Sequence, residues 1–578
     1  MKRFKFLVSI SAVLLITLTA AAQIPVFRDI AGYAGVANDD FGLGAAFIDV
    51  NNDGYYDIHL INDSQVHMYD RLYLNQGDLT FRDITYHAGV YDPPFSDCVR
   101  IADFDNDGWQ DLMITTYNMV EYNRLYHNNG NCTFTDVFQQ SGLQNSYYSA
   151  CDWSDVNQDG LVDLFLLSNY SAPISGLWNN SGFATFNLNF NMEGRFAFGC
   201  DAQFCDFDFD GDQDLLVGVY NCERLYENIG GTFQDIAFSA GIMGDMWDFS
   251  YPVIGDYDND GLFDIFMQNA QEYVESPDCL YRQTAPMQFS DVIGTSGIEA
   301  MVDAGYGVWG DFDNDGWLDL MFFNYHSSYL WHNNGNGTFT ESAAQAGLYQ
   351  GNQSAQGPVL GDINNDGFLD VYLPCYDAVN KLYVNQGNTN HWLQVTLQGT
   401  ASNRLGIGAR AKAAAGDLVQ WRDLGGGKSA HSCNAPFIHF GLAEYTTIDT
   451  LIIYWPSGNI TTMTGVSTNQ RIMVTETTDG ELNASGNALQ LDDFTLFNCY
   501  PNPFNAFLNI KFTLTSPVHV DLSVYNIRGE KAAGLVNAFL QSGEHSAQFT
   551  GEKLASGQYF VRLQTDDEVI TKKVVLLK

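Results

Sequence analysis

The chain has 578 residues, 46% of them hydrophobic and 14% aromatic. That is enough for three or four domains of about 100–200 residues with full cores, and it excludes a disordered chain. Its 69 acidic residues against 26 Lys and Arg give a formal charge of −43, which repels phosphate backbones and excludes a nucleic-acid partner. Charged residues make up only 16%, and the acid is mostly Asp set among Asn and Gly. This composition points to oxygen ligands for a hard cation rather than to a solvated tail.

Lys2, Arg3 and Lys5 precede an apolar run from Phe6 to about Leu18, and Ala20, Ala21 and Ala22 follow. The pattern predicts a secretory signal peptide over 1–22, cut after Ala22. The small-residue site disfavours an uncleaved anchor, and no Cys follows the run to accept a lipid. No later stretch reaches about 18 uninterrupted apolar residues, so no transmembrane segment is expected in the mature chain. The ten cysteines show no CxxC or zinc spacing. They read as buried thiols, and no pairs are assigned.

A nine-residue pattern, Asp-x-Asp/Asn-x-Asp-Gly-x-x-Asp, then recurs seven times at spacings of 50–55 residues. Asp or Asn at alternate positions turns oxygens inward, and the Gly stands where the chain must bend sharply. The candidate calcium ligands are Asp49, Asn51, Asp53 and Asp57 in the first copy and Asp103, Asp105, Asp107 and Asp111 in the second. They continue as Asp155, Asn157, Asp159 and Asp163, then Asp206, Asp208, Asp210 and Asp214, then Asp256, Asp258, Asp260 and Asp264. The last two sets are Asp311, Asp313, Asp315 and Asp319, and Asn364 with Asp362, Asp366 and Asp370. The seventh residue, Trp109 in the second copy, would add a backbone carbonyl. An EF-hand needs Glu at position 12, but Leu60, Ile114, Leu166, Val217, Met267, Phe322 and Leu373 stand there. That motif is excluded, and the period is too long for dockerin repeats. A lone copy could be a metal-free Asx turn, which seven registered copies argue against. Up to seven Ca²⁺, mainly structural, would reduce the formal charge to −29, with affinities of about 10⁻⁴–10⁻³ M typical of extracellular modules.

Strand-like apolar runs follow the loops, as in DLMITTY from Asp111 and DLFLLSN from Asp163. A second marker comes about ten residues later, as in RLYLNQG from Arg71 and RLYHNNG from Arg124; a third follows, as in FRDITYHAGV from Phe81. Each unit therefore reads as about four short strands, a propeller blade. The third unit is the least regular, with GLWNNSG at Gly176. The seven units resemble FG-GAP/VCBS repeats, which implies a seven-bladed β-propeller over 23–389. The seventh unit lacks its third marker, whereas VFRDIAGYAGV from Val26 has one without a loop. Residues Val26 to Ile30 are therefore expected to supply the outer strand of the last blade, pairing the two ends of the ring.

Beyond it, SNRLGIGAR from Ser402, HFGL from His439 and WPSG from Trp455 resemble the ASPIC/UnbV domain of cartilage-acidic-protein-like chains, implying a small β module over 390–475. His431, Cys433 and His439 are given no role; His439 reads as a packed strand residue. A polar linker is expected over 476–491. YPNPFN from Tyr500, GQYFVRL from Gly557 and the basic end resemble a type IX secretion sorting domain, a β-sandwich over 492–578. An ordinary immunoglobulin-like domain is the rival reading there. The sorting resemblance implies the secretion machinery as a partner and a surface-bound or released product.

The expected fold is all-β throughout. No HExxH, GxSxG or P-loop occurs, and no catalytic residue is assigned. The expected function is adhesion to, or binding of, an extracellular protein or glycan. The alternative is a hydrolase or lyase with its site in the propeller channel, which a cluster of perturbed channel residues would signal.

Overall fold

The computed structural model describes residues 24–477 and 494–578, apart from 64–68, 92–94, 117–122, 169–174, 192–198, 220–222, 243–249, 270–276, 300–304, 325, 350, 352–353 and short stretches after 500. The expected signal peptide and nearly all of the linker lie outside the described residues. So do Cys222, the side chain of Cys499 and most of YPNPFN.

Seven antiparallel four-stranded sheets form in chain order. In blade 1 these are Gly42–Ile48, Asp57–Asn62, Arg71–Asn75 and Phe81–Asp83. Each Asp-rich loop joins the first strand of its blade to the second, and the second and third markers are the third and fourth strands. The first strands lie side by side around a ring, and Val359–Gly361 of blade 7 meets Gly42–Ile48 of blade 1. Large apolar residues fill the space between blades, as where Phe47, Tyr56 and Ile58 pack with Val359, Tyr372 and Leu382.

The ring closes with the N-terminal segment. Strand Phe27–Asp29 pairs with Lys381–Asn385, placing Phe27 opposite Asn385, in the same sheet as Asp370–Leu373. Phe27 is buried and meets Phe312 edge-on at 5.7 Å. The third marker also contains a feature that strand periodicity did not show. After the outer strand the chain makes one helical turn, as at Thr85–Ala88, and leaves it through a left-handed glycine, Gly89 at φ 78°. Blade 3, the irregular one, instead extends its outer strand over Phe186–Asn191.

The second module packs the sheet Ile438–Gly441, Trp392–Gln398, Gln470–Thr475 around a core shared with Leu418–Asp423, Arg410–Ala415, Thr447–Tyr454 and Ile460–Ser467. Two of its short strands leave it: Lys428–Ser429 and Ser432–Cys433 join the sheet of blade 1, with Cys433 parallel to Ala46. The last module is a sandwich, with a three-stranded and a four-stranded sheet around Leu508, Ile510, Leu522, Val561 and Val574. Among the described residues no helix is long and apolar enough to cross a membrane.

Candidate metal centres

The loops are ordered by their own side chains. In loop 2, Asp107 and Gly108 donate backbone N–H bonds to the two oxygens of Asp103, at 3.0 and 2.8 Å. Trp109 N–H donates to Asp107 at 2.9 Å. Asp111 accepts from Phe104 N–H at 3.1 Å and from Asn128 N–H at 2.8 Å. Gly108 sits at φ 92°, as the turn requires. These bonds leave the outer oxygens facing one another, and Asp103, Asp105 and Asp111 bring carboxylate oxygens within 4.8 Å. Asp206, Asp208 and Asp210 form such a cluster in loop 4, as do Asp256, Asp258 and Asp260 in loop 5.

Such acids repel one another and are partly cut off from water. Burial, reinforced by neighbouring Asp, pushes Asp103 and Asp256 up to about 7 and Asp49 and Asp206 to about 6. Burial likewise lifts Asp214 to about 8 and Asp57, Asp111, Asp264 and Asp370 well above the carboxylate range. Asp163 Oδ2, Asp206 Oδ1 and Asp319 Oδ2 are buried without a hydrogen-bond partner. Clustered oxygen donors with orphaned lone pairs fit a hard cation.

The loops are not equivalent, because the residue before the Asn of the second marker reaches back over them. His127 Nε2 lies 3.1 Å from Asp105 and 3.3 Å from Asp107. His332 Nδ1 lies 3.1 Å from Asp319. In blade 5 that position is Arg282, with Nε 2.6 Å from Asp258 and Nη2 3.1 Å from Asp260. Loop 5 thus already holds a cation of its own, so of the seven expected sites it fits calcium least well.

Two sets of side chains that the motif treats as filler, or as a marker only, tie the ring together. The fourth loop residue has positive φ in every copy, from Asn52 to Asn365, a conformation Asn tolerates best after Gly. Its amide donates to the loop-glycine carbonyl of the next blade: Asn52 to Gly108, Asn106 to Gly160, Gln158 to Gly211, Asn259 to Gly316, Asn314 to Gly367 and Asn365 to Gly54. Only loop 4 departs, with Phe209 at that position. The marker Asn also crosses between blades, as where Asn333 Nδ2 donates to Tyr257 O at 2.8 Å. In blade 5, Gln283 takes that role toward Phe207 O. A recurrent Asn at a fixed offset from the loop was the readable signal.

The second module caps the loop face and touches all seven loops. Arg471 donates to Gly54 O of loop 1, and Arg404 N–H to Asn106 of loop 2. Ala401 O packs on Gly160 of loop 3, and Arg410 lies 3.9 Å over the Phe209 ring of loop 4. Arg422 bridges Asn259 of loop 5 and Gly316 O of loop 6, and Gln394 donates to Asp362 of loop 7 at 2.9 Å. From this cap, residues 425–435 enter the channel. Arg100 Nη1 donates to Ser432 O at 2.6 Å, while Nη2 donates to Asp201 at 3.1 Å and Nε stands 3.9 Å from Asp152. His431 pairs with Asp97 at 3.3 Å between the rings of Tyr251 and Tyr306. Burial pushes Asp152 up to about 7 despite Arg100. A side chain at Gly426 or Gly427 would strike Asp152 or Arg100. Thus His431 and Cys433 line the filled channel, and His439 hydrogen-bonds Asn314 of loop 6. The eight cysteines with described side chains are free thiols.

Family models match the same parts. FG-GAP-like repeats match residues 49–114, 103–166, 206–267 and 311–373, together taking in all seven loops. ASPIC and UnbV matches 399–481, and the secretion system C-terminal sorting domain matches 498–577. The chain is therefore an extracellular FG-GAP-repeat protein with an ASPIC/UnbV domain and a type IX secretion sorting tail, which engages the secretion machinery and sends it to the surface or the medium. It is similar to cartilage acidic protein 1 of Mus musculus, 24% identical, and of Homo sapiens, 28% identical, in each case over 272 residues and 42% of this chain. The chain spans about 40% of the length of these curated relatives. Among solved structures it is similar to PorZ, a bacterial surface component of the type IX secretion system of Porphyromonas gingivalis. That likeness has TM-score 0.32 and 11% identity, over 91% of this chain and 69% of that one. It is also similar to the Photorhabdus luminescens Tc holotoxin pore, with TM-score 0.30 and 10% identity, over 94% of this chain and 29% of that one.

Proposed function

We infer that this protein is a calcium-stabilised binding module that recognises a protein or glycan outside the cell, and that it is not an enzyme. The observation that carries the reading is the filled channel. A propeller enzyme would use that channel for its site, and here residues 425–435 of the cap occupy it. The ionisable groups around the plug are committed to each other, Arg100 to Asp201 and His431 to Asp97. The perturbed channel residues that would signal catalysis therefore have a structural partner instead.

Calcium is the cation the loops suit best. They offer several carboxylates each at alternate positions of a tight turn, and the orphaned oxygens of Asp163, Asp206 and Asp319 suit a hard ion. Bound ions would neutralise the acid ring on which the cap sits, so metal and cap docking support one another. The test is to screen the mature chain against glycan and surface-protein arrays, with calcium and with EGTA. Retention of a ligand supports the reading, and its loss in EGTA supports the metal's part. Turnover of a glycan or peptide library with no retained ligand would replace it with the enzyme reading.

A further inference from the structure

The cap does not seal the loop face evenly. Above loops 1 and 2 it stands off the ring, and a cleft of about 590 Å³ opens between the two modules, within the ~300–1,000 Å³ usual for small-ligand sites at domain interfaces. We propose that this cleft binds an acidic saccharide, with Arg404 taking a uronate-type carboxylate and the surrounding amides taking ring hydroxyls. The proposal deepens the binding reading and rests on it.

The chemistry of the walls selects that ligand. Arg404 lines the cleft, and its guanidinium has no hydrogen-bond or ion-pair partner among the described residues, although its backbone N–H anchors the cap to Asn106. An open guanidinium in a chain of charge −43 is matched to a planar carboxylate. Around it the polar lining is mostly neutral. Gln398 keeps its NH₂ donors open while its carbonyl accepts from Thr475, and Gln470 keeps its carbonyl open while its NH₂ donates to Ser467 O. Amide donors and acceptors side by side suit hydroxyls that both give and accept hydrogen bonds. Leu405 and Met473 supply short apolar patches for the C–H faces of a ring. Asp49 and Asp53 of loop 1 form the opposite wall, where bound calcium would offset their charge, so the acidic ligand is expected to bind in calcium.

The test uses the mature full chain in calcium buffer, with an oligogalacturonate as probe and a neutral galactan oligomer of the same length as comparison. Isothermal titration should show binding of the acidic oligomer. Losing one charge-assisted contact in Arg404→Ala should weaken it about tenfold or more, with the melting temperature of the protein unchanged. Met473→Trp, which adds bulk to the cleft wall while keeping the Arg404 charge, should abolish binding; should Arg404→Ala fail to fold, this variant still decides. Equal affinity for the neutral oligomer, unchanged binding in either variant, or no binding of the acidic probe overturns the proposal. A different ligand from the arrays that still binds both variants would leave the general binding reading standing while this cleft falls.

Discussion

Arg282→Ala gives the sharpest check on how the loops are neutralised. In the parent, the guanidinium spans Asp258 and Asp260 at 2.6 and 3.1 Å, with its side chain 42% exposed. A partly exposed pair of this kind contributes about 1 kcal/mol at most. Without metal, the variant should lose roughly that amount and leave two uncompensated carboxylates in loop 5. With calcium the order should reverse. At about 10 mM calcium and an affinity of about 10⁻³–10⁻⁴ M, one additional ion stabilises the fold by about 1.4–2.7 kcal/mol. Each kcal/mol moves the melting temperature by about 2–4 °C in a domain of 150–250 residues and by less in a larger ring. Calorimetry and native mass spectrometry should show the variant binding one ion more than the parent. Scanning calorimetry should show it melting below the parent in EGTA and at or above it in calcium. Equal stoichiometry, or an unchanged order of melting in both buffers, refutes the idea that Arg282 stands in for the metal.

The pH dependence of stability should change sign with calcium. Burial raises Asp214 to about 8 and Asp103, Asp163 and Asp256 to about 7 from 3.8, so without metal the folded state binds protons that the unfolded state has released. Metal-free stability should therefore be greatest below the unfolded value and fall as pH rises through about 4–8; calcium needs the ionised form, so stability in calcium should rise over that window. Melting curves at about pH 5.5 and 8 with and without EGTA check this, and identical slopes would contradict it. Phe27→Ala, which empties a buried site against Phe312, should cost about 3–5 kcal/mol by chemical denaturation; a loss below about 1 kcal/mol would mean that the closing strand adds little. Deleting 492–578 should leave a folded protein confined to the periplasm, and cell fractionation showing normal surface delivery would contradict the sorting role. Gly427→Ala, which sets a methyl group against Arg100, should expel the plug and expose Cys433 to thiol reagents while the blades stay folded. Continued protection of Cys433 would argue against that packing.

The features readable from sequence were those that repeat. Seven Asp loops fixed the number of blades, and the stray third marker at Val26 fixed the closing strand, because each copy supplies a template for the others. The amide of Asn106 or Asn314 also recurs, but its partner lies one period away, and a motif read within a single loop records that position as x. Docking of the cap was harder still. Arg471 reaching Gly54, or Arg422 reaching Gly316, joins surfaces hundreds of residues apart with no period to relate them. The run Gly425, Gly426, Gly427 was a local sign of close backbone approach, but it did not name what approached. Arg282 was visible only as a departure, a cation where sibling blades carry His127 or Val384.

The pairing of Phe27 with Asn385 has a consequence for how the molecule is made. These residues stand 358 positions apart, so the first blade-forming segment to leave the ribosome finds its partner only after six blades have been synthesised and translocated. Until then a row of backbone donors and acceptors stays open at each end. Closure of so long a loop is entropically costly and slow. A product cut short before residue 385 has no seventh sheet to receive its N-terminal strand, and it remains an open arc exposed to proteolysis. The closure thus acts as a length check: only chains translated through the last blade acquire the resistance of a finished ring.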